Sequence, residues 1–75
     1  MKKRKSNREK IPDKRYYFVS GLASKGGTEY NVGRTIWFNS DESVNFENVK
    51  KKFVSKLEDD DFVFRFMWGW SLIEN

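Results

Sequence analysis

The 75-residue chain contains no cysteine and no histidine, and these two absences remove most catalytic chemistry at once. Without cysteine there is no disulfide framework, thiolate nucleophile or zinc knuckle, and without histidine there is neither an imidazole base nor the commonest metal ligand. Long apolar runs are missing too: none approaches the ~18 to 20 residues that span a bilayer. The charged opening MKKRKSNREK leads into Ile11, Pro12 and Asp13 rather than into the apolar core of a signal peptide. The expected protein is soluble and cytoplasmic. A chain this short forms one small domain that buries about 60% of its unfolded surface, so deep clefts are not expected. Carboxylates, Lys, Tyr and Ser are the catalytic groups that remain, with no cleft to hold them. The expectation is a protein that is not an enzyme and takes no cofactor or metal.

What is present is charge and aromatic side chains: 15 Lys and Arg against 11 Asp and Glu, with seven Phe, three Tyr and three Trp. The net charge of +4 is unevenly placed. Residues 1–15 hold eight basic and two acidic side chains, a net of +6, while the remaining sixty hold seven basic and nine acidic ones, a net of −2. Before Tyr16 the apolar side chains are Met1, Ile11 and Pro12. Three such groups do not offset an ordering entropy of about 1 to 2 kcal/mol per residue. Residues 1–14 are therefore expected to form a disordered basic tail, and residues 15–75 the folded domain.

The composition switches at Tyr16, Tyr17, Phe18 and Val19 to residues that favour strands, and this first strand extends to about Ala23. A polar segment with adjacent Gly26 and Gly27 supplies the positive φ angles of a tight hairpin turn, and a second strand runs from Tyr30 to about Phe38. Gly21, Gly26 and Thr28 also fall at the glycine and hydroxyl positions of a phosphate-binding loop. Gly27 stands where that loop needs lysine, however, and no helix follows. The hairpin accounts for the glycines.

Beyond an acidic turn, Phe46, Val49, Phe53, Val54 and Leu57 recur at helical spacing. Asn45 is positioned as the N-cap, with Val44 and Val49 as a hydrophobic staple and a helix end between Glu58 and Asp60. A third strand spans 62–73, with Phe62, Phe64, Phe66, Trp68, Trp70 and Leu72 at alternate positions and therefore expected on the core face. The order is ββαβ, an α+β domain with a three-stranded antiparallel or mixed sheet in the order 2-1-3 and one helix on one face. On the second strand the set Tyr30, Val32, Arg34, Ile36 and Phe38 and the set Asn31, Gly33, Thr35 and Trp37 both contain apolar groups, so the pattern leaves the buried face open. One helix covers one face of a sheet. Apolar groups on the other face then form a patch suited to binding or to self-association, a homodimer included.

The run Glu58, Asp59, Asp60 and Asp61 opposes the helix macrodipole, and a run that breaks a local rule is a candidate contact for a partner's basic patch. Its spacing lacks the alternating ligands of a calcium loop.

A strand, a Gly-rich turn, a strand, an amphipathic helix and an aromatic strand ending Trp68-Gly69-Trp70-Ser71-Leu72-Ile73 together resemble small orphan proteins of bacteriophages and mobile elements. The likeness covers about residues 16–73. It rests on Tyr17-Phe18-Val19, Gly33, the stripe of Phe46, Val49 and Phe53, and Trp70-Ser71-Leu72; the basic tail and the Phe-rich third strand depart from it. The resemblance implies a compact accessory protein of a bacterial host's cytoplasm, in a class that includes inhibitors of host nucleases, polymerases and antiphage defence systems. Such proteins act by stoichiometric binding to a host protein or nucleoprotein complex. On that reading Trp37, Trp68 and Trp70 are aromatic anchors, and Glu58, Asp59, Asp60 and Asp61 help to steer and orient. The alternative is a nucleic-acid-binding protein that grips phosphates with Lys2, Lys3, Arg4, Lys5, Arg8, Lys10, Lys14 and Arg15. Against it stand the net acidic folded part and the absence of an RNP1-like pattern.

Overall fold

The computed structural model describes residues 14–74. The tail residues Lys2, Lys3, Arg4, Lys5, Arg8 and Lys10 lie outside them. Strand β1 (Arg15–Lys25) turns at Gly26 and Gly27 into β2 (Thr28–Phe38), and both glycines take positive φ, 60° and 85°. Positive φ at both central residues matches the right-handed twist of the flanking strands, so a two-residue loop suffices and the hairpin is two residues longer on each arm than its strand-forming side chains alone suggest. Helix α1 (Phe46–Asp59) follows, and β3 (Val63–Glu74) closes the chain. The sheet order is β2-β1-β3 with both pairings antiparallel, and the helix lies on one face. The molecule is the small α+β domain that the sequence pattern predicts, in the predicted strand order.

The helix is cut to length by its caps. Asn45 accepts the Asn48 N–H through Oδ1 at 2.9 Å, and Val44 packs against the core from the position before it. At the other end the Phe62 N–H reaches the Leu57 carbonyl and the Asp61 N–H the Glu58 carbonyl, both at 3.0 Å. This is a Schellman closure, and Asp61 holds its left-handed position at φ 66°, where glycine is usual.

Val49, Phe53 and Leu57 are fully buried against Val19, Ala23, Ile36 and Phe38, with Met67 completing the cluster. The even-numbered residues of β2 therefore face the helix, which settles the choice that the pattern leaves open. The ring of Phe53 lies on bare backbone at Gly21, where an added Cβ would meet it at 2.7 Å and also strike the Phe66 carbonyl oxygen. Phe46 and Val54, expected in the buried stripe, lie at its margins: Phe46 is 55% exposed and Val54 half-buried.

Strand β3 departs from simple alternation. Opposite β1 residues 16–24 it sets twelve residues, and the register slips between Tyr16 and Tyr17, between Ser20 and Gly21, and between Leu22 and Ala23. Each slip leaves one β3 residue without an opposite number, namely Ile73, Trp68 and Arg65. A bulge reverses the facing of the residues beyond it until the next bulge reverses it again. Phe64 and Met67 thus face the helix, while Phe66, which pairs with Leu22, faces away. The expectation that Phe66 and Trp68 share the core face with Phe64 and Trp70 is corrected: they are 52% and 57% exposed.

Candidate functional site

The face of the sheet turned away from the helix has no layer over it among the described residues. The pairing ladder orders it into rows across the three strands. Trp37 stands beside Tyr16 at one end; Thr35, Phe18 and Ser71 form the next row; Gly33, Ser20 and Gly69 the third; Asn31, Leu22 and Phe66 the fourth; and Glu29, Ser24 and Val63 the last, nearest the hairpin. Large rings therefore flank a central row of small residues. Phe18 leans from β1 across that row, its ring filling the position that a Gly33 side chain would occupy. At Gly69 the space is open, with nothing within 4 Å of where a Cβ would sit. On the β3 side the Trp68 bulge brings its indole against the Phe66 ring, with centroids 4.8 Å apart.

Tyr16, Phe18, Trp37, Phe66 and Trp68 are 38% to 57% exposed. At about 200 Å² per ring, they leave roughly 450 Å² of aromatic surface in water, within the range of the largest apolar patches on typical monomers, which are often functional.

Charge is segregated relative to this face. Glu47, Glu58, Asp59, Asp60 and Asp61 lie in the helix or its C-terminal cap on the far side of the sheet, Glu42 pairs with Lys52 of the helix, and Asp41 stands in the β2–α1 loop that leaves the sheet at the Trp37 end. Among residues 14–73, Glu29 is the acidic side chain on the open face, and Arg65 Nε approaches its carboxylate at 3.5 Å. At the opposite end Lys14 sets its ammonium 3.9 Å from the centre of the Trp37 ring, with Lys52 at 5.3 Å from the helix side. The two lysines fix Trp37 at the rim of the face where the chain enters the fold.

The structure distributes the sequence-expected residues unequally. Trp37 and Trp68 lie on the open face, whereas Trp70 is half-buried on the helix side with its ring 6.5 Å from Phe46. The acidic run is largely absorbed by the fold. Asp60 takes the Arg34 guanidinium at 2.7 Å and caps the helix, Asp61 makes the left-handed turn, and Glu58 and Asp59 stand exposed on the helix side. Among the described residues no group of three or more carboxylates converges as a metal site would require. Of the basic residues assigned to phosphates, Arg15 donates from Nη2 to the carbonyls of Asn39 and Glu42 at 2.9 and 3.3 Å and so holds the β2–α1 loop, leaving Lys14 at the site. In the same loop the Asn39 N–H donates to Glu42 Oε1 at 2.8 Å and Lys52 stands 3.3 Å away. The carboxyl is thereby held below its ordinary range, with the backbone hydrogen bond the larger cause.

Phe18, Leu22 and Phe66 are the members of the face that the sequence pattern does not single out. Phe18 and Leu22 are visible as the even-numbered alternation of the first strand, but only the bulges reveal Phe66.

Two further hollows among the described residues are open to solvent. One lies along the outer helix face over Lys50, Lys51 and Val54, and one between β2 and α1 beside Trp37, Lys52 and Lys56. No helix among the described residues is long and apolar enough to cross a membrane. Comparison of the chain with protein-family models, with curated proteins and with solved structures yields no match.

Proposed function

We propose that this protein is a non-enzymatic binding module whose working surface is the open aromatic face of its sheet. The observation that supports the reading is the outward placement of Phe66 and Trp68, which the β3 bulges turn away from a core that the same rings would otherwise enlarge. Rigid rings on a sheet supply contact area at low entropic cost, and recognition energy concentrates in such anchors. The target is a host macromolecular machine, protein or nucleoprotein, which the module blocks or redirects by stoichiometric occupation. That choice of target draws on the resemblance to accessory proteins of phages and mobile elements. Trp37 and Trp68 keep their assigned role as anchors. Trp70 and the acidic run contribute to the fold first.

The experiment is affinity purification from the host with the full chain and with a Phe66→Ser, Trp68→Ser variant, each with and without nuclease treatment. Partners recovered by the wild type and lost by the variant support the reading. An unchanged set of partners removes the open face as the working surface.

A further inference from the structure

We infer that the occupant of the open face is an unpaired nucleic-acid strand, with bases stacked on the rings and a phosphate drawn by Lys14 at the rim. The inference rests on the proposal that this face is the working surface, and it names the ligand. Three observations carry it. The first is the chemistry of the rings: five of the large apolar groups on the face are aromatic, and every base has a π-face that stacks on them without regard to sequence. The second is charge. The folded part is net acidic, which argues against a polyanion only if the acids lie near the site. Those of the helix and its cap lie on the helix side, Glu29 on the face pairs with Arg65, and Glu74 stands opposite Tyr16 at the end of the ladder. Residues 1–13 carry six basic and two acidic side chains, a net of +4, and lead into Lys14, whose ammonium stands on Trp37. A polyanion arriving at this face thus meets Lys14 at its rim and, between the ends of the ladder, Glu29 paired with Arg65, with Glu74 opposite Tyr16 at the last position.

The third observation is spacing. Outward residues two apart on a strand, such as Tyr16 and Phe18, stand about 6.7 Å apart along it. Consecutive nucleotides in a duplex strand advance about 3.4 Å. Rings at twice the stacking interval suit a strand whose bases are separated from one another. They do not suit a duplex, which hides its base faces. The open row of Ser20 and Gly69 between the ring clusters gives such a strand room to cross, with Thr35 and Ser71 hydroxyls beside it.

The test titrates the full chain with a 12-nucleotide oligothymidylate and with a duplex of the same length, following tryptophan emission and anisotropy at two salt concentrations. The expected result is preference for the single strand with quenching of Trp emission. Phe66→Ala and Trp68→Ala should each weaken binding roughly tenfold without changing the slope against salt, because they remove stacking and no charge. Lys51→Ala, on the outer helix face, is the control and should bind as the wild type does. Equal binding of duplex, or unchanged affinity in both ring variants, would overturn the inference, since the basic segment alone would then be responsible. Sedimentation at the titration concentrations detects the other occupant. A dimer that dissociates on Trp68→Ala would show the face covered by a second copy, and that also overturns it. Should the ring variants bind oligothymidylate normally yet lose a nuclease-resistant protein in the purification, this inference fails while the proposed function stands.

Discussion

Phe53 is the residue on which the core turns, and its truncation gives the most exacting check of the packing. The ring is fully buried, meets Phe64 edge-on at 6.1 Å and lies on the backbone of β1 at Gly21. Phe→Ala in a core costs about 3 to 5 kcal/mol. The upper end is expected here, because no side chain at Gly21 is available to relax into the void and because the edge-to-face contact contributes a further ~0.5 to 1.5 kcal/mol. A domain of about 60 residues has a total stability of about 3 to 9 kcal/mol, so Phe53→Ala should leave it largely unfolded at room temperature. Phe53→Leu keeps the fold measurable at a cost of about 1 to 2 kcal/mol. Gly21→Ala, which overpacks the same contact, should cost about 1 to 3 kcal/mol. Combining the last two removes the collision with the ring and leaves the one with the Phe66 carbonyl. The double variant should therefore be more stable than the sum of the single effects by about 1 kcal/mol. Urea denaturation followed by circular dichroism measures the wild type, Phe53→Leu, Gly21→Ala and the double variant, and the spectrum without denaturant shows whether Phe53→Ala folds. Additivity within about 0.3 kcal/mol, or a loss below about 1 kcal/mol for Phe53→Ala, would refute the contact of Phe53 with Gly21 as the core's centre.

Other consequences are open to direct measurement. Asp61→Gly should raise stability by about 1 kcal/mol, because it relieves a left-handed Cβ and removes a carboxylate from a helix C-terminus; a loss would show that the Asp61 side chain does more than turn the chain. In variants that retain one tryptophan each, Trp68 should be the most quenched by acrylamide and Trp70 the least. Trp37 should favour iodide over caesium, because Lys14 and Lys52 stand over its ring. The Glu42 carboxyl is held below its ordinary value of 4.5, so the unfolded chain takes up its proton first as pH falls. The stability it contributes is present above that value and is lost as pH drops through the lower, folded one. Glu42→Gln should flatten the acid limb of the denaturation profile, and an unchanged limb would discount the Asn39 hydrogen bond.

Much of this architecture is legible in the sequence because local signals agree with one another. The glycine pair, the Asn45 cap and the helical recurrence of Val49, Phe53 and Leu57 each specify a conformation within a few residues, and together they fix a ββαβ order that permits few sheet topologies. Facing on the third strand is not legible in the same way. Period-two reading assumes an unbroken ladder, and a bulge has no required residue type. Arg65, Trp68 and Ile73 look like ordinary strand residues until they are set against β1. A slip therefore misplaces the residues beyond it until the next slip restores the phase, and simple alternation puts Phe66 and Trp68 inside while still placing Phe64 correctly. The second strand shows the converse case. Its two faces carry similar apolar content, and Arg34 on the buried side is accommodated by pairing with Asp60 at the edge, a partner 26 residues away that no local pattern announces.

The two outer strands are built differently, and the difference bears on the open face. Strand β2 pairs with β1 through eleven consecutive positions without a break, whereas β3 slips three times along its length. Repeated bulges break the regular row of donors and acceptors that an edge presents, so β3 is a poor template for another strand. The same slips turn Phe66 and Trp68 outward. Burying side chains of this size stabilises a fold by about 1.5 to 3 kcal/mol each, a substantial fraction of what so small a domain possesses. An unbulged β3 would have set both rings towards the helix side, as its alternation implies. Instead the domain keeps Met67 in the core and leaves the two rings packed edge-on against each other in water. Edge protection alone does not require aromatic residues at those positions, since a bulge carrying polar side chains would protect the edge equally well. The pairing of a protected edge with outward rings is the physical ground for treating the face, rather than the edge, as the surface that this protein presents.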